Sequence, residues 1–339
     1  MLPFFLRADD LEALALYLRG RGWMAQNDVV HSAAPAGDGN MNCTLRVVTS
    51  QRRLIVKQGR PWVEKYPDIP APPDRSLVET AFYRHIAGIP AVARRMPTLI
   101  GADRESRVLV LGDCVDFADL SPVYQGVDLR VPQVEELLAY LAALHREPIA
   151  DPDAPPFANP AMRALNHVYM YGLPLVHDAA TADRLDRLTP GLAEAAAALT
   201  ADADYAARIA QLGDLYLHGA PQALLHGDYF PGSWLAQGSD VVVIDPEFCF
   251  AGPPEFDYGV MSAHLIMADQ PEALLRQVAS AALSAGRDLT AVAAFAGAEV
   301  MRRLIGVAQL PRLDRTLATK RSLLERSRRL VLGLELLNA

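Results

Sequence analysis

Two carboxylates stand close together in the segment LLHGDYFPGSWLAQGSDVVVIDPEF, residues 224–248. Asp228 precedes a Pro-Gly turn, where a carboxylate can accept a proton from a substrate hydroxyl. Asp245 ends an apolar, β-branched run typical of a buried strand, and Glu247 follows in the next turn. Their oxygens suit a hard cation such as Mg²⁺, and the Ser233 hydroxyl can orient Asp228 or that metal. Either acid alone is better explained as a turn former or a helix cap, so the prediction rests on the combined spacing.

Lysine is rare in this chain, which contains only Lys57, Lys65 and Lys320 among 32 basic residues. Lys57 interrupts the apolar strand pattern LIVKQ. One interpretation is a solvent-facing position on a half-buried strand. The other is a phosphate-binding lysine that pairs with a glutamate on the following helix, and Glu79 is the natural partner. The scarcity of lysine favours the second interpretation.

The segment GDGNMN, residues 37–42, is rich in glycine and asparagine. Such residues form the tight turns of β-hairpins in many proteins, so the pattern alone is weakly specific. Together with Lys57 it predicts a turn that covers phosphates, with Gly39, Asn40 and Asn42 as nucleotide-binding candidates.

Four further residues are candidates for contacts with an acceptor substrate. Arg302 and Arg303 are adjacent on a predicted helix, where neighbouring side chains diverge by about 100°, so we expect only one to face inward. Surface arginines are an equally good interpretation. Tyr229 and Phe230 directly follow Asp228, so one of them could line an acceptor pocket. The alternative is that both pack in the core and brace the loop.

The elements that must position these residues divide the chain into two regions. Residues 1–115 mix strands with helices: a hairpin over 37–58, a proline-rich loop over 61–75 and a helix over 76–88. Residues 116–339 are dominated by amphipathic helical patterns. We therefore expect a small α+β lobe followed by a larger helical lobe.

Composition excludes several classes of function. The chain has 339 residues and a net charge of −8, which argues against general nucleic-acid binding. No apolar stretch approaches the roughly 20 residues that a membrane helix needs, so no membrane association is expected. The three cysteines lack metal-ligand spacing and indicate a reducing compartment, for which we predict the cytoplasm.

Five motifs occur in one order: GDGNMN, LIVKQ, HGDYFPGS, IDPEF and RRLIGVAQL. As a set they resemble the protein-kinase-like small-molecule phosphotransferases, a group that includes aminoglycoside and choline kinases. Ser233, where the family usually has Asn, and the tripeptide DPE at 245–247 resemble the methylthioribose kinase branch. The resemblance implies an α+β, bilobal protein-kinase-like fold with a small antiparallel-sheet N-lobe and a larger, mainly helical C-lobe.

The resemblance also implies the cofactors ATP and Mg²⁺. Lys57 would contact the ATP phosphates and Glu79 would hold it in place. Asp245 and Glu247, with Ser233, would bind the metal.

For the acceptor, the resemblance implies that Asp228 receives the proton of a substrate hydroxyl. Arg302 and Arg303 would reach the substrate or the transferring phosphoryl group, and Asp257 would buttress the catalytic loop. The expected reaction is γ-phosphoryl transfer to a sugar, with a 5-substituted ribose as leading acceptor. A kinase for another alcohol or an aminoglycoside, or a non-catalytic nucleotide-binding scaffold, stays open, as does a homodimer.

Overall fold

The structure is a computed structural model that describes residues 3–37, 41–147, 149, 156–310 and 312–337. The chain forms two compact units, and the first includes a segment from late in the sequence. The first unit is Met1–Phe117 with Val242–Cys249, and the second is Ala118–Val241 with Phe250–Ala339. Asp245 and Glu247 therefore belong to the first unit, whereas Asp228 belongs to the second.

A five-stranded antiparallel sheet forms the centre of the first unit, with its strands in the order β1 (Val30–Pro35), β2 (Cys43–Thr49), β3 (Arg53–Gln58), β7 (Val108–Gly112) and β6 (Leu99–Asp103). One face of the sheet packs against the buried leucines of helix α1. The predicted hairpin is confirmed as β2 and β3. The elements are α1 (Leu11–Gly20), β1 (Val30–Pro35), β2 (Cys43–Thr49), β3 (Arg53–Gln58), β4 (Trp62–Val63), β5 (Tyr66–Pro70), α2 (Arg75–Ile86), α3 (Pro90–Ala93), β6 (Leu99–Asp103) and β7 (Val108–Gly112).

The proline-rich segment 61–75 is not entirely loop, contrary to the prediction. Within it β4 and β5 pair as a short antiparallel ribbon. A two-stranded ribbon tolerates proline because it has open edges that need no N–H donor. The buried guanidinium of Arg75 donates to the carbonyl oxygens of Met41, Arg60 and Pro72 at 2.5–2.8 Å. These bonds satisfy the carbonyls around the ribbon and fix the start of α2.

The second unit is mainly helical, as predicted. Helix α9 (Glu255–Met267) is buried along its whole length, and α11 (Leu289–Ile305) is buried from Val292 to Ile305. A Cβ on Gly259 of α9 would lie 2.6 Å from Cβ of Phe295 on α11, so glycine permits this close approach. The helices are α4 (Val131–Leu144), α5 (Pro160–His167), α6 (Ala179–Leu188), α7 (Leu192–Thr200), α8 (Ala203–His218), α9 (Glu255–Met267), α10 (Glu272–Ser284), α11 (Leu289–Ile305) and α12 (Leu317–Val331).

Short strands complete the second unit. Strand β8 pairs with β10, and β9 pairs with β12, both antiparallel. Their bounds are β8 (Ala118–Asp119), β9 (Ala223–Leu225), β10 (Trp234–Gln237) and β12 (Phe250–Gly252), while β11 (Asp240–Val243) leads the chain back into the first unit. None of the helices in the described residues is long and apolar enough to cross a bilayer.

Candidate active site

Strand β3 places Lys57 in the interior of the first unit. Its Nζ donates to Glu79 Oε1 on α2 at 2.7 Å and also to Asp245 Oδ1. Burial alone would lower the pKa of Lys57, but Asp245 and Glu79 outweigh it and raise the pKa above its ordinary value. The side chain is therefore a fixed ammonium, and the solvent-facing interpretation of Lys57 is wrong.

Asp245 follows β11 with an unusual backbone conformation. Its φ is 63°, in the left-handed region that few residues other than glycine, asparagine and aspartate adopt. Such conformations concentrate at functional sites because the surrounding structure must enforce them. The side chain is 38% exposed, and among the described residues its hydrogen bond is to Lys57. The carboxylate is thus both anchored and accessible.

Glu247 is buried in the 3-10 turn Pro246–Phe248, which directly follows Asp245. Its Oε2 accepts a hydrogen bond from Asn42 Nδ2 at 2.7 Å and lies 3.4 Å from Arg75 Nε. Burial raises the pKa of Glu247 to about 8, although Arg75 and Lys57 act in the opposite direction. Asn42, predicted to cover phosphates, is therefore bonded to this carboxylate.

Ser233, Gly39 and Asn40 were also predicted to bind the metal or the nucleotide. Ser233 is buried in a 3-10 turn of the second unit. Gly39 and Asn40 lie outside the described residues. Within the described part of the chain, no group of three or more His, Cys, Asp or Glu side chains is arranged to hold a metal ion.

The loop that carries Asp228 begins where β9 ends. Asp257, in the first turn of α9, accepts hydrogen bonds from the backbone N–H groups of His226 and Gly227 at 2.8 and 3.0 Å. His145 Nε2 lies 3.0 Å from the same carboxylate. Gly227 has φ of 83°, a conformation that favours glycine and turns the chain toward Asp228. Asp257 thus occupies the buttressing position expected for it.

Two arginines of α11 approach the Asp228 carboxylate. Arg303 Nη2 donates to Oδ1 at 3.1 Å, and Arg302 Nη1 lies 3.8 Å from the same atom. The expectation that only one arginine faces inward is wrong, because both are buried. Only 6% of the surface of Arg302 and 5% of that of Arg303 is exposed. The reason is Glu299, whose Oε2 and Oε1 accept from Arg302 and Arg303 at 3.0 and 2.5 Å. Residues three and four positions apart share a helix face, so one glutamate gathers both side chains.

Sequence reasoning missed Glu299 and its partner His264. Burial would raise the pKa of Glu299, but Arg302 and Arg303, with a hydrogen bond from His264, hold it well below its usual value. Burial lowers the pKa of His264 to about 4, so the ring is neutral at pH 7. Ionised Glu299 can only accept, so His264 Nε2 donates at 3.1 Å, and Nδ1 accepts from the Tyr124 hydroxyl at 2.6 Å. The available signal was a lone glutamate in an apolar helix just before two arginines.

The two aromatic residues after Asp228 have different surroundings. Tyr229 is fully buried, its hydroxyl donates to the Leu137 carbonyl at 2.9 Å, and its ring stacks on Tyr140. The surroundings of Tyr229 match the alternative interpretation, in which its side chain packs in the core and braces the loop. Phe230 is half-buried, and the Arg303 guanidinium lies 4.7 Å from its ring centre. Phe230 thus supports the arginine that contacts Asp228.

A family model described as the phosphotransferase enzyme family matches residues 32–295. The chain belongs to the phosphotransferase enzyme family. This match confirms the family expected from the motifs.

Methylthioribose kinases are among the relatives of this chain. That of Exiguobacterium sibiricum is 28% identical, and the match covers 71% of this chain and 62% of that kinase. That of Bacillus pumilus is 25% identical, with coverage of 95% and 90%.

A solved spectinomycin phosphotransferase, in complex with ADP and spectinomycin, shares the fold of this phosphotransferase. The TM-score is 0.52 at 13% identity, and the likeness covers 97% of this chain and 98% of that one. At this identity the likeness concerns the fold alone. It confirms the expected protein-kinase-like architecture of an antiparallel sheet unit and a mainly helical unit.

Proposed function

We propose that this phosphotransferase is an ATP-dependent kinase that phosphorylates a hydroxyl of a small sugar. The leading acceptor is a 5-substituted ribose such as methylthioribose, supported by the relatives of that name. The observation that carries the proposal is the buried Lys57 ammonium, fixed between Glu79 and Asp245. A compact cation held on a strand suits the phosphates of a nucleotide.

The residues around Lys57 also fit Mg²⁺. Among the described residues of this cluster, the carboxyl groups of Glu79, Asp245 and Glu247 outnumber the cations of Lys57 and Arg75. A divalent cation would favour the ionised form of these carboxyl groups, and carboxylate oxygens are its preferred ligands. Asp245, anchored yet 38% exposed, is the first candidate ligand, with Glu247 as the second. When bound, Mg²⁺ would neutralise charge on the phosphates.

In the second unit, Asp228 is the group suited to the acceptor. Its carboxylate is 20% exposed, and Asp257 holds the loop backbone just before it. Asp228 would orient the acceptor hydroxyl and receive its proton. Arg302 and Arg303 place guanidinium donors beside this carboxylate, where they would stabilise negative charge that develops during transfer.

Two other functions are less well supported. A kinase for cationic alcohols, such as choline or aminoglycosides, would place its substrate beside the two buried arginines next to Asp228. A non-catalytic nucleotide-binding scaffold would not require Asp257 to hold the loop before Asp228 and Arg303 to bond the Asp228 carboxylate. The arrangement around Asp228 therefore favours a catalytic protein with a non-cationic acceptor.

The test is a phosphorylation assay on the purified chain with Mg·ATP. The acceptor panel is methylthioribose, ribose, choline and an aminoglycoside, with mass spectrometry of the products. We expect a singly phosphorylated sugar from methylthioribose, formed at least roughly 100-fold more slowly by the Asp228→Asn variant. Exclusive turnover of choline or the aminoglycoside would reject the sugar acceptor, whereas no turnover of any alcohol would reject kinase activity.

A further inference from the structure

The side chains around Asp228 form a set that we name the balanced cluster: Asp228, Glu299, Arg302 and Arg303. It contains two carboxylates and two guanidinium groups. Glu299 is fully buried and bonded to both arginines, whereas Asp228 is the most exposed member. Each arginine therefore lies between a buried carboxylate and a more accessible one.

Two described titratable groups that touch the balanced cluster, His264 and Tyr124, add no charge to it. His264 is neutral because burial holds its pKa near 4, and the Tyr124 hydroxyl keeps its proton because burial raises its pKa. The Asp257 carboxylate is directed at the backbone of His226 and Gly227 and at His145. The formal charge of the balanced cluster is thus zero at pH 7.

We propose that Glu299 determines acceptor specificity by cancelling one of the two arginine charges, so that the cluster receives an uncharged polyhydroxyl compound. The inference rests on the proposed function, since it names the acceptor class of that reaction. An arginine pair opposed only by Asp228 would carry a net positive charge and would bind phosphate or sugar phosphates, because Arg forms charge-assisted, often bidentate bonds with such oxyanions. With Glu299 in place, the arginines remain hydrogen-bond donors without that excess charge.

The test is calorimetric titration of the purified full chain with inorganic phosphate, which requires no turnover. We expect Glu299→Gln to bind phosphate roughly 10- to 100-fold more tightly than wild type, the range for one added charge-assisted hydrogen bond. The matched control is Glu335→Gln, because Glu335 also joins two arginines, Arg326 and Arg329, at 2.8 and 2.9 Å. We expect no such gain there. An equal gain in both variants, or no gain in folded Glu299→Gln, would overturn the inference.

A second variant tests the opposite change in the charge of the cluster, and its result does not depend on whether Glu299→Gln folds. Arg302→Gln leaves the balanced cluster with one guanidinium and two carboxylates. We expect this variant to bind ethanolamine, a cationic alcohol, at least roughly tenfold more tightly than wild type, since an uncompensated carboxylate attracts an ammonium group. Unchanged ethanolamine affinity in the folded variant contradicts the charge balance. Both titrations can succeed even if the sugar phosphorylation assay fails, so the two proposals are separable.

Discussion

Arg303 joins Asp228 to helix α11. Its Nη2 donates to Asp228 Oδ1 at 3.1 Å across a sequence separation of 75 residues, while its Nε donates to Glu299 at 2.5 Å. One planar guanidinium thus joins two carboxylates through two different nitrogen atoms, Nη2 and Nε. The orientation of Asp228 therefore depends on α11 as well as on its own loop.

Replacing Asp228 by Asn should abolish most turnover without unfolding the protein. Asn keeps the shape and a hydrogen-bond acceptor for Arg303 but cannot take up a proton. We expect kcat to fall by roughly 10²- to 10⁴-fold, with ATP affinity nearly unchanged. Steady-state kinetics measures this, and Asp240→Asn, at an exposed position of the same segment, is the control. Near-normal kcat in Asp228→Asn would show that Asp228 does not accept the proton of the acceptor hydroxyl.

Replacing Lys57 by Met should destabilise the first unit and weaken ATP binding. The change leaves buried Glu79 without its cation, and breaking a buried ion pair costs about 3–5 kcal/mol of unfolding free energy. Lys57→Arg should not restore ATP affinity, because the planar guanidinium of arginine does not replace the compact ammonium group of lysine. Denaturant unfolding and ATP titration measure both effects.

The matched control for Lys57 is Lys320→Met. Lys320 is also buried, but its Nζ donates to the Thr189 hydroxyl rather than to a carboxylate. Its loss should cost less stability and leave ATP affinity unchanged. Equal effects of the two substitutions would mean that Lys57 is simply a buried lysine.

The two aromatic residues after Asp228 should respond differently to substitution. Tyr229→Phe removes the hydrogen bond to the Leu137 carbonyl and should lower stability by about 1 kcal/mol without changing the acceptor KM. Phe230→Leu removes the ring beside Arg303 and should raise the acceptor KM while the ATP KM stays constant. A raised acceptor KM in Tyr229→Phe would return Tyr229 to the acceptor site.

His264 should make stability depend on pH in a defined window. Its pKa falls from 6.5 to about 4 on folding, so the unfolded chain binds an additional proton between these values. Stability from this group is complete above pH 6.5 and is lost as pH falls toward 4, by about 3 kcal/mol in total. Around it lie Tyr124, Glu299, Arg303 and Asp228.

The pH dependence is measured as the free energy of unfolding in wild type and His264→Gln between pH 4 and 7. Glutamine can retain a donor and an acceptor but does not titrate, so the slope attributable to His264 should disappear. Identical slopes in both proteins would show that His264 is not the group responsible.

The pair of Lys57 and Glu79 was predictable because a strand lysine in a lysine-poor chain, followed by a helix glutamate, is a local pattern. The contact of Lys57 with Asp245 is different. It joins residues 188 positions apart, a pairing that depends on the segment Val242–Cys249 folding with the first unit. Periodicity does not encode such long-range packing.

The arginine pair shows why helix geometry alone failed. Adjacent positions on a helix diverge by about 100°, so Arg302 and Arg303 were expected to point in different directions. Long side chains can nevertheless bend toward one buried anion. Glu299 supplies that anion at the third and fourth preceding positions. Tyr229 could not be assigned from sequence either, since burial of an aromatic side chain depends on Leu137 and Tyr140, which lie on a distant helix.

The most direct measurement for the whole account is the product formed from methylthioribose and Mg·ATP by the purified wild-type chain. We expect one phosphoryl group per sugar and one ADP per phosphorylated sugar. We also expect both products to form at least roughly 100-fold more slowly in Asp228→Asn. Formation of ADP without phosphorylated sugar, or equal rates in wild type and Asp228→Asn, would contradict the proposed kinase function.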